Sequence, residues 1–259
     1  MPTYVALGSS FASGPGIEPI IDAGCGRSGN NYAHLVAERL GHDLIDVTSG
    51  GAAVDDVVAR TQTLMTGGAV PPQIEAVVPQ ADRVTVTVGG NDVDYLLTML
   101  CCSHQADPDG TPVEARPFFG TPVDRAAVDV ALAGLPAKLA GLVTAVRDRA
   151  PRARVVFVDY LTVVPEPGTA AGLPMSDEHL RFCWDVGRRL AAATAEAAAG
   201  TGADLVEAST ASRDHHAGSA EPWVTGWEFG DVLAGGVVPY HPNAAGMRAV
   251  ADLLVARLG

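Results

Sequence analysis

Four short segments of this chain hold the residue types that nucleophilic catalysis needs: a hydroxyl, an imidazole, and backbone or amide N–H donors. The first is Gly8-Ser9-Ser10-Phe11-Ala12-Ser13-Gly14. A serine just past a strand and flanked by glycines can project its Oγ at a sheet edge. It is not the Gly-x-Ser-x-Gly elbow of the α/β hydrolases, and by itself it also fits an ordinary turn. The second is Thr48-Ser49-Gly50-Gly51-Ala52, where paired glycines let a backbone N–H approach a ligand unobstructed; a plain strand-to-helix turn reads the same way. The third is Gly89-Gly90-Asn91-Asp92. The Asn91 amide is a good donor to a developing oxyanion, and Asn is equally at home at a left-handed turn position. The fourth is Tyr240-His241-Pro242-Asn243-Ala244-Ala245-Gly246, where Pro242 suits a helix start and the loop before it can carry an imidazole.

These segments need a scaffold that brings four distant stretches together. Short apolar runs at Thr3–Gly8, 44–48, 83–88, 154–160 and 203–207 read as strands, the third ("RVTVTV") and fourth ("RVVFVDY") strongly β-branched. Between them, helical patterns cover 31–40, 54–65, 126–149 (with a break expected near Gly134 or Pro136), 176–199 (with Ser176 as cap) and 243–258. Strands alternating with helices predict a single domain over 1–259, three layers deep, with a parallel sheet covered on both faces. The irregular stretches 92–121, 162–175 and 209–239 are expected as loops over the carboxyl ends of the strands, where open α/β sheets place their sites.

The chain has 259 residues, 47% hydrophobic and 18% charged, with a net charge of −13. That charge repels phosphate backbones and anionic lipid surfaces, so a nucleic-acid partner is not expected. No stretch reads as an integral membrane span, and no signal-peptide pattern precedes the first strand. This gives a cytoplasmic reading, with a secreted protein whose signal peptide has been removed as the alternative. Cys25, Cys101, Cys102 and Cys183 lack metal-ligand spacing, and no metal or cofactor is implied. His215-His216 reads as loop; Trp223 and Trp227 either line an acyl pocket or pin the loop, with pinning preferred.

In order and spacing, the four segments resemble the blocks of the SGNH hydrolase superfamily, also called GDSL esterases and lipases, across almost the whole chain. "GSS" stands for the first block, Gly51 in "SGGAAVDDV" for the second, "GGND" for the third and "HPNAAG" for the last. "CGRSGNNYAHLVA" and "EPWVTGW" look like stretches of actinobacterial secreted members. The resemblance implies a flavodoxin-like five-stranded sheet of order 2-1-3-4-5. It implies Ser10 as nucleophile, His241 as general base, and an oxyanion hole from the N–H groups of Ser10 and Gly51 and the side chain of Asn91. The substrate class is a small-molecule or lipid ester of a carboxylic acid.

The chain departs from that pattern at two places. Ser9 stands where the family has aspartate, which raises the question of which serine attacks; Ser10 holds the family position. Val238 stands where the family triad has its aspartate, three residues before the histidine. As in some actinobacterial members, the carbonyl of Val238 or of a neighbour is expected to hold the imidazole, with Asp231 as a substitute. Cys25 matches a cysteine whose usual partner position is Ser49 here, which argues against that disulfide; a bridge from Cys101 or Cys102 to Cys183 stays open. The alternatives to a hydrolase are an acyltransferase using the same residues and a non-catalytic binding protein on a decayed scaffold.

Overall fold

The computed structural model describes residues 1–169, 172–230 and 236–259. Five strands form its central sheet: β1 (Thr3–Gly8), β2 (Asp43–Asp46), β3 (Arg83–Thr87), β4 (Arg154–Val158) and β5 (Asp204–Val206). Their order is β2-β1-β3-β4-β5, and every pairing is parallel. A parallel sheet covered on both faces needs strands that are apolar on both sides. Tyr4 through Leu7, Val84, Val86 and Val155 through Val158 are accordingly buried.

The connections decide which helix covers which face. The chain moves one way from β1 to β2 through α2 (Tyr32–Leu40), and the other way from β3 through α6 (Arg125–Arg149) to β4 and α7 (Asp177–Thr201) to β5. Right-handed crossovers running in opposite directions put α2 on one face and α6 and α7 on the other. The closing helix α9 (Ala244–Leu258) packs on α2, and α6 packs on α7. Side chains cap these helices at their starts: Asn31 accepts from the His34 N–H, Ser176 from the His179 N–H, and Asn243 from the N–H groups of Ala245 and Gly246.

Four expectations change. The helix expected over 54–65 stops early: α3 is Val54–Val58, and Gln62–Thr63 then pairs antiparallel with Ala69–Val70. Its second half has no apolar stripe to bury, and Met65 is fully exposed. Conversely, the stretch read as irregular from 92 holds a helix, α4 (Tyr95–Ala106), and a single turn, α5 (Arg116–Phe119); another single turn, α8 (Ala208–Ala211), follows β5. The buried side of α4 is made of Tyr95, Thr98, Met99, Cys101, Cys102 and Ser103, a mixed set that hides the helical period.

The expected break in α6 does not occur either, because the helix runs through Pro136. An interior proline costs about 3 kcal/mol, but Leu132, Leu135, Leu139 and Leu142 are all buried, each contributing about 1.5–3 kcal/mol. By length and composition alone α6 could cross a membrane, which corrects the reading that no stretch could. In the fold it is a core-facing helix, with Leu135 resting over Gly89 at the end of β3.

Candidate active site

The three N-terminal segments meet because β2, β1 and β3 are side by side. The Ser49 N–H donates to Gly8 O (3.0 Å) and the Ser9 N–H to Thr87 O (2.8 Å), so both turns leave the sheet from a shared ladder. Gly8 is required by contact: a Cβ there would stand 2.5 Å from the Thr87 carbonyl oxygen, and its φ is +151°. The Gln73 side chain closes the same strand end, accepting from the Gly8 N–H (2.8 Å) and donating to its carbonyl (2.9 Å). Between the second and third turns, Asn91 Nδ2 donates to Ala52 O (2.8 Å) and Asp92 Oδ2 accepts from the Val54 N–H (2.9 Å). Asn91 is thereby tied to the turn that holds Gly51, whose φ is +79°.

Beyond β1 the chain turns at once into a single helical turn, α1 (Ser10–Ser13), with Ser9 extended at its N-cap. Ser10 thus leads a helix, where N–H groups are free of intrahelical partners. Among the described residues, the N–H groups of Ser10 and Gly51 donate to no protein acceptor. The two serines differ sharply. Ser9 is 1% exposed and its Oγ hydrogen-bonds Tyr160 OH (3.1 Å), whereas Ser10 is 8% exposed. Tyr160 also accepts from the Gly90 N–H (2.9 Å) and packs on Phe11 at 4.7 Å between centroids. One phenol therefore joins the first and third turns. The strand pattern placed Tyr160 at the end of β4 without marking it as part of the site.

His241 comes in from the opposite end of the chain. Its ring lies 5.6 Å from Phe11, the neighbour of Ser10, and is 4% exposed. The Nδ1 atom hydrogen-bonds Pro239 O at 2.9 Å. Burial disfavours the imidazolium and lowers the pKa to about 4, with the Pro239 carbonyl opposing in part. The acceptor is thus a neighbour of Val238; the Val238 carbonyl itself accepts from Thr225 Oγ1 (2.6 Å). Asp231, the other candidate, lies outside the described residues.

The stretch "EPWVTGW" forms a strap against the histidine loop. Val224 and Pro242 make an antiparallel bridge, the Asn243 N–H donates to Trp223 O (2.9 Å), and Asn243 Nδ2 donates to Pro222 O (2.7 Å). Gly246 lets the strap come close, since a Cβ there would stand 2.2 Å from Trp223 O. Trp223 stacks on His215 at 4.1 Å and Trp227 on Tyr240 at 5.9 Å, as pinning residues do. Trp227 also lines a cavity of about 600 Å³ with Leu173, Pro174 and Val224, which none of the four candidate residues touches. His216 is buried, with Nδ1 on Ala217 O (2.9 Å). All four cysteines are buried free thiols.

The model of the GDSL-like Lipase/Acylhydrolase family matches residues 6–249. Lipase 2 of Streptomyces coelicolor is 34% identical, the match covering 99% of this chain and 85% of that protein. Among solved structures, the extracellular lipase of Streptomyces rimosus superposes with a TM-score of 0.74 at 26% identity, covering 99% of each chain. The phospholipase A1 of Streptomyces albidoflavus shares the fold, with a TM-score of 0.74 at 23% identity, covering 99% of this chain and 98% of that one.

Proposed function

This chain belongs to the GDSL-like lipase/acylhydrolase family and is an ester hydrolase of the lipase/esterase type, and from that premise we propose that it works through an acyl-enzyme on Ser10 with His241 as its base. The observation that carries this reading is the anchoring of His241: Nδ1 is engaged by Pro239 O, and the ring is packed on the residue next to Ser10. Nδ1 is the nitrogen that bears the proton in that arrangement, so Nε2 is left as the acceptor for a serine hydroxyl.

The steps follow from the groups present. Ser10 Oγ attacks the ester carbonyl carbon while its proton passes to His241 Nε2. The tetrahedral oxygen takes hydrogen bonds from the N–H groups of Ser10 and Gly51 and from the second amide hydrogen of Asn91, the first being committed to Ala52. The imidazolium then protonates the departing alcohol. A water molecule, deprotonated by His241, releases the acid and restores Ser10. Ser9 is the supporting serine, because its hydroxyl is buried against Tyr160.

A backbone carbonyl fixes the imidazole's tautomer but stabilises its cation less than a carboxylate would. That agrees with a histidine whose pKa sits well below its usual value. Esters of short to medium acyl chains are the substrate class. For placement, the extracellular Streptomyces rimosus lipase supports the secreted alternative over the cytoplasmic one.

The test is hydrolysis of p-nitrophenyl butyrate together with covalent labelling by a fluorophosphonate. The wild-type protein turns over the ester and labels at one site; Ser10→Ala does neither, while Ser9→Ala still labels. Wild-type rates in Ser10→Ala would reject the assignment.

A further inference from the structure

The family position that normally orients the histidine is occupied by Val238, yet the imidazole is held. What aims the substituting carbonyl is the question that the loop geometry answers. Val238, Pro239, Tyr240 and His241 form a tight turn. Proline second and a positive φ third (Tyr240, +60°) are the features of a type II turn. In that type the middle peptide is turned over relative to type I, so the direction of the Pro239 carbonyl depends on this turn being kept. A type II turn is commonly closed by a bond from the first carbonyl to the fourth N–H. Here the Thr225 hydroxyl stands between them: Oγ1 donates to Val238 O (2.6 Å) and accepts from the His241 N–H (3.1 Å). The Thr225 N–H also donates to His241 O (2.8 Å).

We propose that Thr225 is a positioning residue for the Ser10–His241 pair: its hydroxyl closes the Val238–His241 turn and thereby points the Pro239 carbonyl at His241 Nδ1. In place of one carboxylate on the loop itself, this protein uses a hydroxyl from the strap and a carbonyl from the loop. A non-glycine residue at positive φ carries a conformational cost, and here the turn is secured from both sides. Thr225 binds its ends, while the Tyr240 ring is buried, stacked on Trp227 and hydrogen-bonded through its hydroxyl to Ser103 Oγ (2.6 Å). With Thr225 gone, the Val238 carbonyl and the His241 N–H are free to close directly on each other, and the middle peptide is no longer constrained to its present direction.

This inference rests on the reading of Ser10 and His241 as nucleophile and base. The experiment compares Thr225→Val, which keeps the shape and removes the hydroxyl, with Thr225→Ser, which keeps the hydroxyl. Two readouts are taken: steady-state hydrolysis of p-nitrophenyl butyrate, and the ¹⁵N shifts of the His241 ring, assigned by their loss in His241→Gln. Thr225→Val is expected to lose about 10²-fold in kcat with KM within about twofold, the cost of a small misplacement of a reacting group. Its ¹⁵N shifts should move from a single Nδ1–H tautomer to a mixture, and Thr225→Ser should restore both readouts. Wild-type kcat and an unmixed tautomer in a folded Thr225→Val would overturn the proposal. If Thr225→Val and Thr225→Ala both fail to fold while Thr225→Ser folds, the hydroxyl is a purely structural clamp and the proposal is likewise overturned. The underlying reading fails separately, through full activity in Ser10→Ala.

Discussion

The strand-end turns and the histidine loop reach the same site by different physical means. Ser10, Gly51 and Asn91 are carried by turns that leave three adjacent parallel strands. Their positions follow from ladder register, from glycines where a Cβ would strike backbone, and from short bonds such as Asn91 to Ala52. The His241 loop has no such ladder. It is held by one isolated bridge, by Thr225 and Asn243, and by stacked aromatic rings. The sheet side is positioned mostly by backbone and is hard to change one side chain at a time. The histidine side is positioned by a few backbone bonds to the strap together with the Thr225 and Asn243 side chains, and is correspondingly more exposed to single substitutions.

The comparison is tested hardest on the sheet side. Asn91→Ala removes an oxyanion donor and should lower kcat by about 10²–10³ with KM little changed. The Ala52 carbonyl it leaves is at the edge of a turn already held by Asp92, so the unfolding midpoint should move little. Steady-state kinetics beside a urea titration check this. A loss below about threefold would make Asn91 a turn residue only.

Two buried groups, His241 and Asp159, titrate in opposing directions. His241 has a folded pKa of about 4, below the unfolded value of about 6.5, so the folded state binds fewer protons between them. Its contribution to stability therefore rises with pH across that window, by about 3 kcal/mol. Asp159, just past β4, is raised to about 6 by burial, against hydrogen bonds from Ser209. Its folded state binds more protons from about pH 4 to 6, so its contribution falls with pH by a similar amount, about 3 kcal/mol. In the wild type the two terms nearly cancel. His241→Asn should leave stability falling from pH 4 to 6, and Asp159→Asn should leave it rising. Urea midpoints at four pH values read both slopes, and parallel slopes in the two variants would refute the assignment.

The smallest expected effect is on the histidine side. Asn243 accepts from two N–H groups at the start of α9 and holds the strap through Pro222. Asn243→Ala should cost about 1–2 kcal/mol of stability, with a parallel loss in kcat as the loop loosens. Loss of stability without any loss of kcat would show that the loop does not depend on the strap.

The parts that could be read from the chain are those with local causes. Each central strand was placed to within a few residues, because β-branched runs such as 83–88 announce themselves, and the order of the sheet came with the resemblance. The four candidate residues were named from turn chemistry and from the block order of the resemblance. Tyr160 and Thr225 were not named, since a tyrosine at a strand end and a threonine in a loop have no local mark. Their roles exist only through partners more than a dozen positions away: Tyr160 with Ser9 and Gly90, and Thr225 with Val238 and His241.

Residue type and spacing, with the family resemblance they carry, thus determined the parallel α/β architecture, the family and the candidates for the reacting groups, because periodicity, glycine turns and motif order are properties of the chain itself. Tertiary structure decided which serine is free, which carbonyl faces the imidazole and how far the histidine's basicity falls. Those depend on burial and on hydrogen bonds between segments, which come into existence only when the sheet and the strap close around them.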